Sequence, residues 1–237
     1  MTINKKNISL CYLCGESLDG EINVDHLPPR QFYGKEIRKT NNPQLLTLPV
    51  HKNCNKSYQY DEDYFVNTLA PFGKNSNSGR AVLKDIGRRF RKGDNVGLIH
   101  TVLNEFDHRP SGINLPKDKV VKRFQGDRVH RVAWKIVRGL FFLHEKSVLP
   151  ENTASKLDII APDEHPPDYF FSLNDKPFLG KYPGVFDYKY AQFPEVHNSF
   201  LWGILLWDSL IMLMAFHSPD CRCDTCEIKP HEPPFRI

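Results

Sequence analysis

The chain has 237 residues, 40% of them hydrophobic and 25% charged, with a formal net charge of +4. That composition and length suit one ordinary domain with a small one attached, or one larger domain, and exclude a disordered or fibrous chain. No apolar run reaches the ~18 residues a membrane helix needs, because the longest, 199–216, is interrupted by Asp208 and Ser209. The opening MTINKKNISL has no apolar core of a signal peptide, so the expected compartment is cytoplasmic and the six cysteines are expected as thiols.

In chain order, residues 1–72 carry the cysteines Cys11, Cys14 and Cys54 and end in SYQYDEDYFVNTLA. There Tyr58, Phe65 and Leu69 recur near helical spacing, and Pro71 with Gly73 stops the helix. GKNSNSG (73–79) reads as a polar linker. Residues 80–107 read as an amphipathic helix, with Val82, Leu83, Ile86 and Phe90 on one side. After a loop at 109–117, residues 130–146 form the strongest helical pattern, with Val132, Ile136, Val137, Leu140 and Leu143 on one face. Residues 147–184, rich in Pro, Asp and Gly, read as loop with short strands. FDYKYAQF (186–193), SFLWGILLW and LIMLMAF read as strands, although 199–216 also suits a buried helix. The expected architecture is α+β, with a unit at 1–72, an accessory α+β region at 80–216 of unknown role, and a Cys-rich tail at 217–237.

Charge is uneven along the chain. Residues 74–93 and residues 117–138 each sum to +6, whereas residues 150–237 sum to −6. A basic middle suits a polyanion such as nucleic acid, although solvated helix faces produce the same pattern.

The metal-ligand spacing is more specific. Cys11 and Cys14 stand two residues apart in CYLCG, and His51 and Cys54 repeat that separation in HKNC. A tight turn aims both cysteine sulfurs at one point about 2.3 Å away, and two such half-sites complete a Cys₃His zinc tetrahedron. Asp25, His26 and Asn55 are left over, and the oxygens of Asp and Asn suit Mg²⁺ or Mn²⁺ rather than a thiolate-bound ion. On an extended chain Asp25 and His26 point to opposite sides, so His26 need not bind the ion and is free to act as a base.

The pattern CYLC-x₁₀-DH-x₂₄-HKNCN resembles the HNH, or ββα-metal, endonucleases, and among them the zinc-bearing branch with CxxC, DH and CxxCN. DHLPPRQFYG, LLTLPV, NKSYQYDEDYF and, downstream, KIVRGLFFLHEKSVLP fit the same likeness. His51 stands where that branch has cysteine, and Gln44 where an Asn begins the second strand, with Asn41 and Asn42 as neighbours able to substitute.

The resemblance implies a zinc-stapled hairpin and helix. Cys11, Cys14, His51 and Cys54 would hold a structural zinc, Asp25 and Asn55 a catalytic Mg²⁺ or Mn²⁺, and His26 would be the general base. Hydrolysis of nucleic-acid phosphodiesters, DNA foremost, would leave 5′-phosphate and 3′-hydroxyl ends. Arg30, Lys56, Arg88 and Arg89 are the expected nucleic-acid contacts. A double-strand break from one such site would favour a homodimer or sequential nicking.

Two other readings compete. A zinc-stapled module could bind nucleic acid or protein without cutting, and a phosphoesterase could act on another substrate. One of Asp61, Glu62 and Asp63 could reach the metal or orient His26, although a solvated helix face is the simpler reading. Outside the motif, His100, His108, His130, His144, His165 and His197 read as structural or surface residues. Cys221, Cys223 and Cys226, with His217 or His231, are candidates for a second zinc site.

Overall fold

The computed structural model describes residues 8–41, 45–117, 119–150, 153–180, 182, 184–193 and 199–217. Its elements mix helices with antiparallel strands. Strand β1 (Ile22–Leu27) pairs antiparallel with β2 (Leu46–His51), and α2 (Lys52–Leu69) starts on the next residue. Between the strands lie a 3₁₀ turn, Arg30–Phe32, and the short helix α1 (Lys35–Asn41). Then come α3 (Asn77–Arg91), α4 (Val96–Asn104), the small pair β3 (Phe106–Asp107) and β4 (Val121–Lys122), and α5 (Gly126–Glu145). The chain closes with β5 (Ser155–Ile160), β6 (Phe186–Phe193), β7 (Ser199–Leu206) and β8 (Leu210–His217), in a sheet of order β5-β8-β7-β6.

The two readings left open for 199–216 resolve as strands. Trp207 and Asp208 take positive φ values of 53° and 51° and turn the chain between β7 and β8. The pairing Leu206↔Leu210 closes that hairpin. The helix expected over 80–107 is two helices. Gly93 (φ 75°) and Asn95 (φ 57°) adopt left-handed backbone between α3 and α4, a break that Gly and Asn tolerate best.

The segment expected as a linker, 73–79, is folded. A 3₁₀ turn ends at Gly73, and Ser76 caps α3 by accepting a hydrogen bond from the Gly79 N–H at 2.9 Å. A Cβ on Gly79 would lie 2.0 Å from the Gly73 carbonyl oxygen, so the two backbones meet where only glycine fits.

One hydrophobic cluster runs across that joint, from Phe32 and Phe65 through Val82 and α5 to Trp202, Trp207 and Phe216. The Trp207 indole N–H donates to the Phe32 carbonyl at 2.9 Å, joining the β7–β8 turn to the turn after β1. Helix α5 is the pillar of this core. Its expected apolar face is buried, and so is the rest of its length from Val132 to Leu143. No helix of the described residues is long and apolar enough to cross a membrane.

Candidate metal centre and the strand beside it

The first half-site is a turn made by CYLCG. The Gly15 N–H donates to the Cys11 carbonyl at 2.7 Å, and the Cys11 N–H to the Glu16 carbonyl at 2.8 Å. Gly15 has φ +83°, a conformation an L side chain rarely adopts. Tyr12 and Leu13 bury their side chains in a second cluster with Leu27, Leu48, Val50, Tyr58, Phe142 and Leu143. Apolar packing therefore fixes the turn, and the strands and the end of α5 supply its bed.

The second half-site is the junction of β2 and α2. His51 ends the strand, and Cys54 lies in the first turn of the helix. The ligand atoms of Cys11, Cys14, His51 and Cys54 lie within 4.8 Å of one another. His51 Nδ1 is 3.3 Å from the Cys14 sulfur and 4.0 Å from the Cys54 sulfur. A tetrahedron with arms of about 2.0–2.3 Å has edges of roughly 3.5–3.8 Å, so the group is close to zinc dimensions. His51 Nε2 lies 2.9 Å from the Ser17 carbonyl. A carbonyl only accepts, so Nε2 carries the proton and Nδ1 keeps its lone pair for a metal. Burial pushes the Cys14 thiol up, and burial together with the neighbouring sulfurs pushes Cys54 up to about 12. Without a cation the cluster is a group of thiols; a bound divalent ion stabilises the thiolates. The Cys₃His set expected from spacing is thus assembled and can hold a metal ion such as zinc.

Strand β1 has two faces. Asp25 and Leu27 are buried, whereas Val24 is exposed and His26 half-exposed. Asp25 pairs in register with Leu48 and His26 with Thr47. A carboxylate that is 4% exposed at an inward position needs partners, and it has three. The Lys135 ammonium donates to Oδ1 at 2.8 Å, the His26 N–H donates to the same oxygen at 2.9 Å, and the Tyr12 hydroxyl donates to Oδ2. Burial and then the Asp25 charge raise the Tyr12 phenol well above its usual range, so it remains a donor.

Lys135 is fully buried in α5 and also donates to Glu62 of α2. The two carboxylates outweigh the effect of burial and raise the Lys135 pKa, so it stays charged. Burial raises the Glu62 pKa despite Lys135.

This arrangement bears on three expectations. Both Asp25 oxygens already accept hydrogen bonds, so a divalent ion shared by Asp25 and Asn55 would have to use the remaining lone pair of Oδ2 or displace one of these partners. Asn55, half-exposed beside Cys54, remains positioned by the junction. The acids 61–63 are not a solvated face. Asp61 accepts from Arg128 at 2.6 Å and from Arg131, Glu62 from Lys135, and Asp63 from Arg89 at 3.4 Å. The second basic run is largely turned inward, with Lys122 on Glu105 at 2.7 Å and Arg138 buried against the Leu149 carbonyl. Arg128 and Arg131 also lie over the Tyr64 and Tyr58 rings.

Sequence reasoning missed Lys135 and Tyr12 as partners of Asp25. The remaining expected contacts are available: Arg30 and Lys56 are exposed, and Arg88 and Arg89 half-exposed. Asn42 and Gln44, and the C-terminal Cys221, Cys223, Cys226 and His231, lie outside the described residues. Neither a family model, nor a curated protein, nor a solved structure matches the chain.

Proposed function

We propose that the N-terminal unit is a zinc-stapled endonuclease of the HNH type, hydrolysing phosphodiester bonds in nucleic acid, DNA foremost. The observation that carries the reading is the arrangement of two antiparallel strands running straight into a helix, with a Cys₃His cluster at the junction and His26 on the open face of β1. The zinc would fix where the helix starts, and hence where Asn55 stands. His26 takes a proton from the attacking water; a group of its type is neutral near pH 7 and suited to that step. Asp25 holds the strand by its backbone contact to His26 and by Lys135, so its role is to position the base. Arg30 and Lys56 meet phosphate oxygens on either side.

The test is nicking of supercoiled plasmid with added Mg²⁺ or Mn²⁺, comparing wild type with His26→Ala. Loss of a general base lowers the rate by about 10²–10⁴-fold. Equal nicking by both proteins removes His26 from the chemistry.

The sequestration of Asp25 favours a second reading, a nucleic-acid-binding module without cleavage. Zinc-loaded protein that shifts DNA on a gel and never nicks it, with any divalent ion, would establish that reading.

A further inference from the structure

We infer that a basic pocket between α1 and the C-terminal half of α3 is a phosphate-binding subsite, and that its ligand is a backbone phosphate of the nucleic-acid strand. The inference rests on the nucleic-acid reading above and adds a defined site to it.

The pocket has a volume of about 160 Å³, room for several waters or one phosphoryl group. Lys35, Arg38, Arg88, Arg89 and Lys92 line it, against the carboxylates of Asp85 and Asp94. Asp85 is already engaged: Oδ1 accepts from Arg88 at 3.0 Å and Oδ2 from the Lys35 backbone N–H. Arg89 reaches Asp63 only at 3.4 Å. The excess positive charge is therefore not neutralised within the wall.

Arg38 makes the case specific. Its Nε is buried and has no hydrogen-bond partner. A buried guanidinium donor without an acceptor is costly and rare. Burial lowers the Arg38 pKa, and the nearby Arg30 charge lowers it further. An anion in the pocket that Arg38 lines offsets the repulsion from Arg30, and a guanidinium prefers phosphoryl or carboxylate oxygens.

Helix dipoles account for basic residues near the end of α3. They do not account for Lys35 at the start of α1, or for Arg38 on the same wall. Gln31, also in the wall, is five residues beyond His26. The chain between them spans at most about 18 Å, or roughly five nucleotides of a strand at 3.4 Å each. The pocket thus lies within reach of a strand held at His26.

The experiment measures fluorescence anisotropy of labelled 20-nucleotide duplex and single-stranded probes over a salt series. The protein is the full zinc-loaded chain carrying His26→Ala, so that binding is read without cutting. Adding Arg38→Gln should weaken probe binding about tenfold. It should also flatten the plot of log K against log salt by about 0.9 for duplex or 0.7 for single strands, the loss of one phosphate contact. Lys92→Gln, an exposed change, should act in the same direction, and Arg38→Lys should restore the slope. Unchanged affinity and slope in both Gln variants overturn the subsite.

Titration with inorganic phosphate separates the sources of the anion. Phosphate binding abolished by Arg38→Gln, with probe binding unaffected, would make the ligand a free phosphate and overturn the strand assignment. Failure of the nuclease reading is distinct: a chain with His26 intact would then bind probes through Arg38 and never nick plasmid.

Discussion

Replacing Lys135 with methionine tests the buried network directly. The substitution keeps the unbranched side chain and removes the one charge shared by Asp25 and Glu62. Removing one partner of a buried ion pair costs about 3–5 kcal/mol, because the other partner is left buried. Asp25 keeps the Tyr12 hydroxyl and the His26 N–H, and the Glu62 side chain is 13% exposed. The expected loss is therefore at the lower end, about 3 kcal/mol. In a chain of this length that lowers Tm by about 6–12 °C. The assay is urea unfolding at pH 7 with zinc held constant, with Lys56→Met as an exposed control expected within about 0.5 kcal/mol of wild type. Adding Asp25→Asn to Lys135→Met should cost less than the two single losses added together, since the double variant no longer buries an unpaired carboxylate there. A Lys135→Met protein within about 1 kcal/mol of wild type would refute the reasoning, because it would mean that Lys135 does not neutralise those two acids.

Other outcomes follow from the same geometry. Zinc measured by elemental analysis should fall by one ion per chain in Cys54→Ser, and the variant should unfold at lower urea than wild type; an unchanged zinc content would show that the cluster does not hold the ion. Gly79→Ala should destabilise by about 1–3 kcal/mol although alanine is the better helix former, because its Cβ meets the Gly73 backbone at 2.0 Å; a stabilised variant in thermal melts would contradict that close approach. Burial lowers the pKa of His130 and His144 below 6.5, so as pH falls through 6.5 the unfolded chain takes up protons first and stability drops, with no contribution above that value. His144→Phe should therefore lose less stability than wild type between pH 7 and 5, read as urea midpoints; parallel curves would remove His144 from the acid response.

Local pattern carried the secondary structure where the elements are long or sharply punctuated. The alternation of β6 and the 3.6-residue period of α5 were legible. The Cys₃His set was legible because zinc coordination imposes a fixed spacing on the chain itself. What the pattern hid were partners distant in sequence. Lys135 follows Asp25 by 110 residues, and nothing in VDHLPP reveals that an inward carboxylate awaits an ammonium from another helix. The acids at 61–63 looked solvated because a charge run on one helix is judged without the basic helix that packs on it. Lys135 itself sat in a helix read for one apolar face, whereas α5 is buried nearly all round from Val132 to Leu143, and Lys135 finds its acids inside. The joint at 73–79 looked like a linker because polar, glycine-rich composition marks both flexible chain and places where two backbones touch.

The accessory region is therefore packed onto β1 rather than appended to it. Helix α5 reaches that strand at two successive inward positions. Lys135 holds the Asp25 carboxylate, and one helical turn later a Cβ on Gly139 would lie 2.4 Å from Leu27 Cδ1. The residue between Asp25 and Leu27 is His26, whose backbone N–H is itself held by Asp25. With both neighbours pinned on the inner face, the side chain of His26 has its direction set by the strand's own alternation. The same helix packs through Phe141 against Phe200 of β7 and Phe216 of β8. Helix α5 thus packs on both the four-stranded sheet and β1. The metal cluster fixes the helix side of the proposed site, and α5 fixes the strand side.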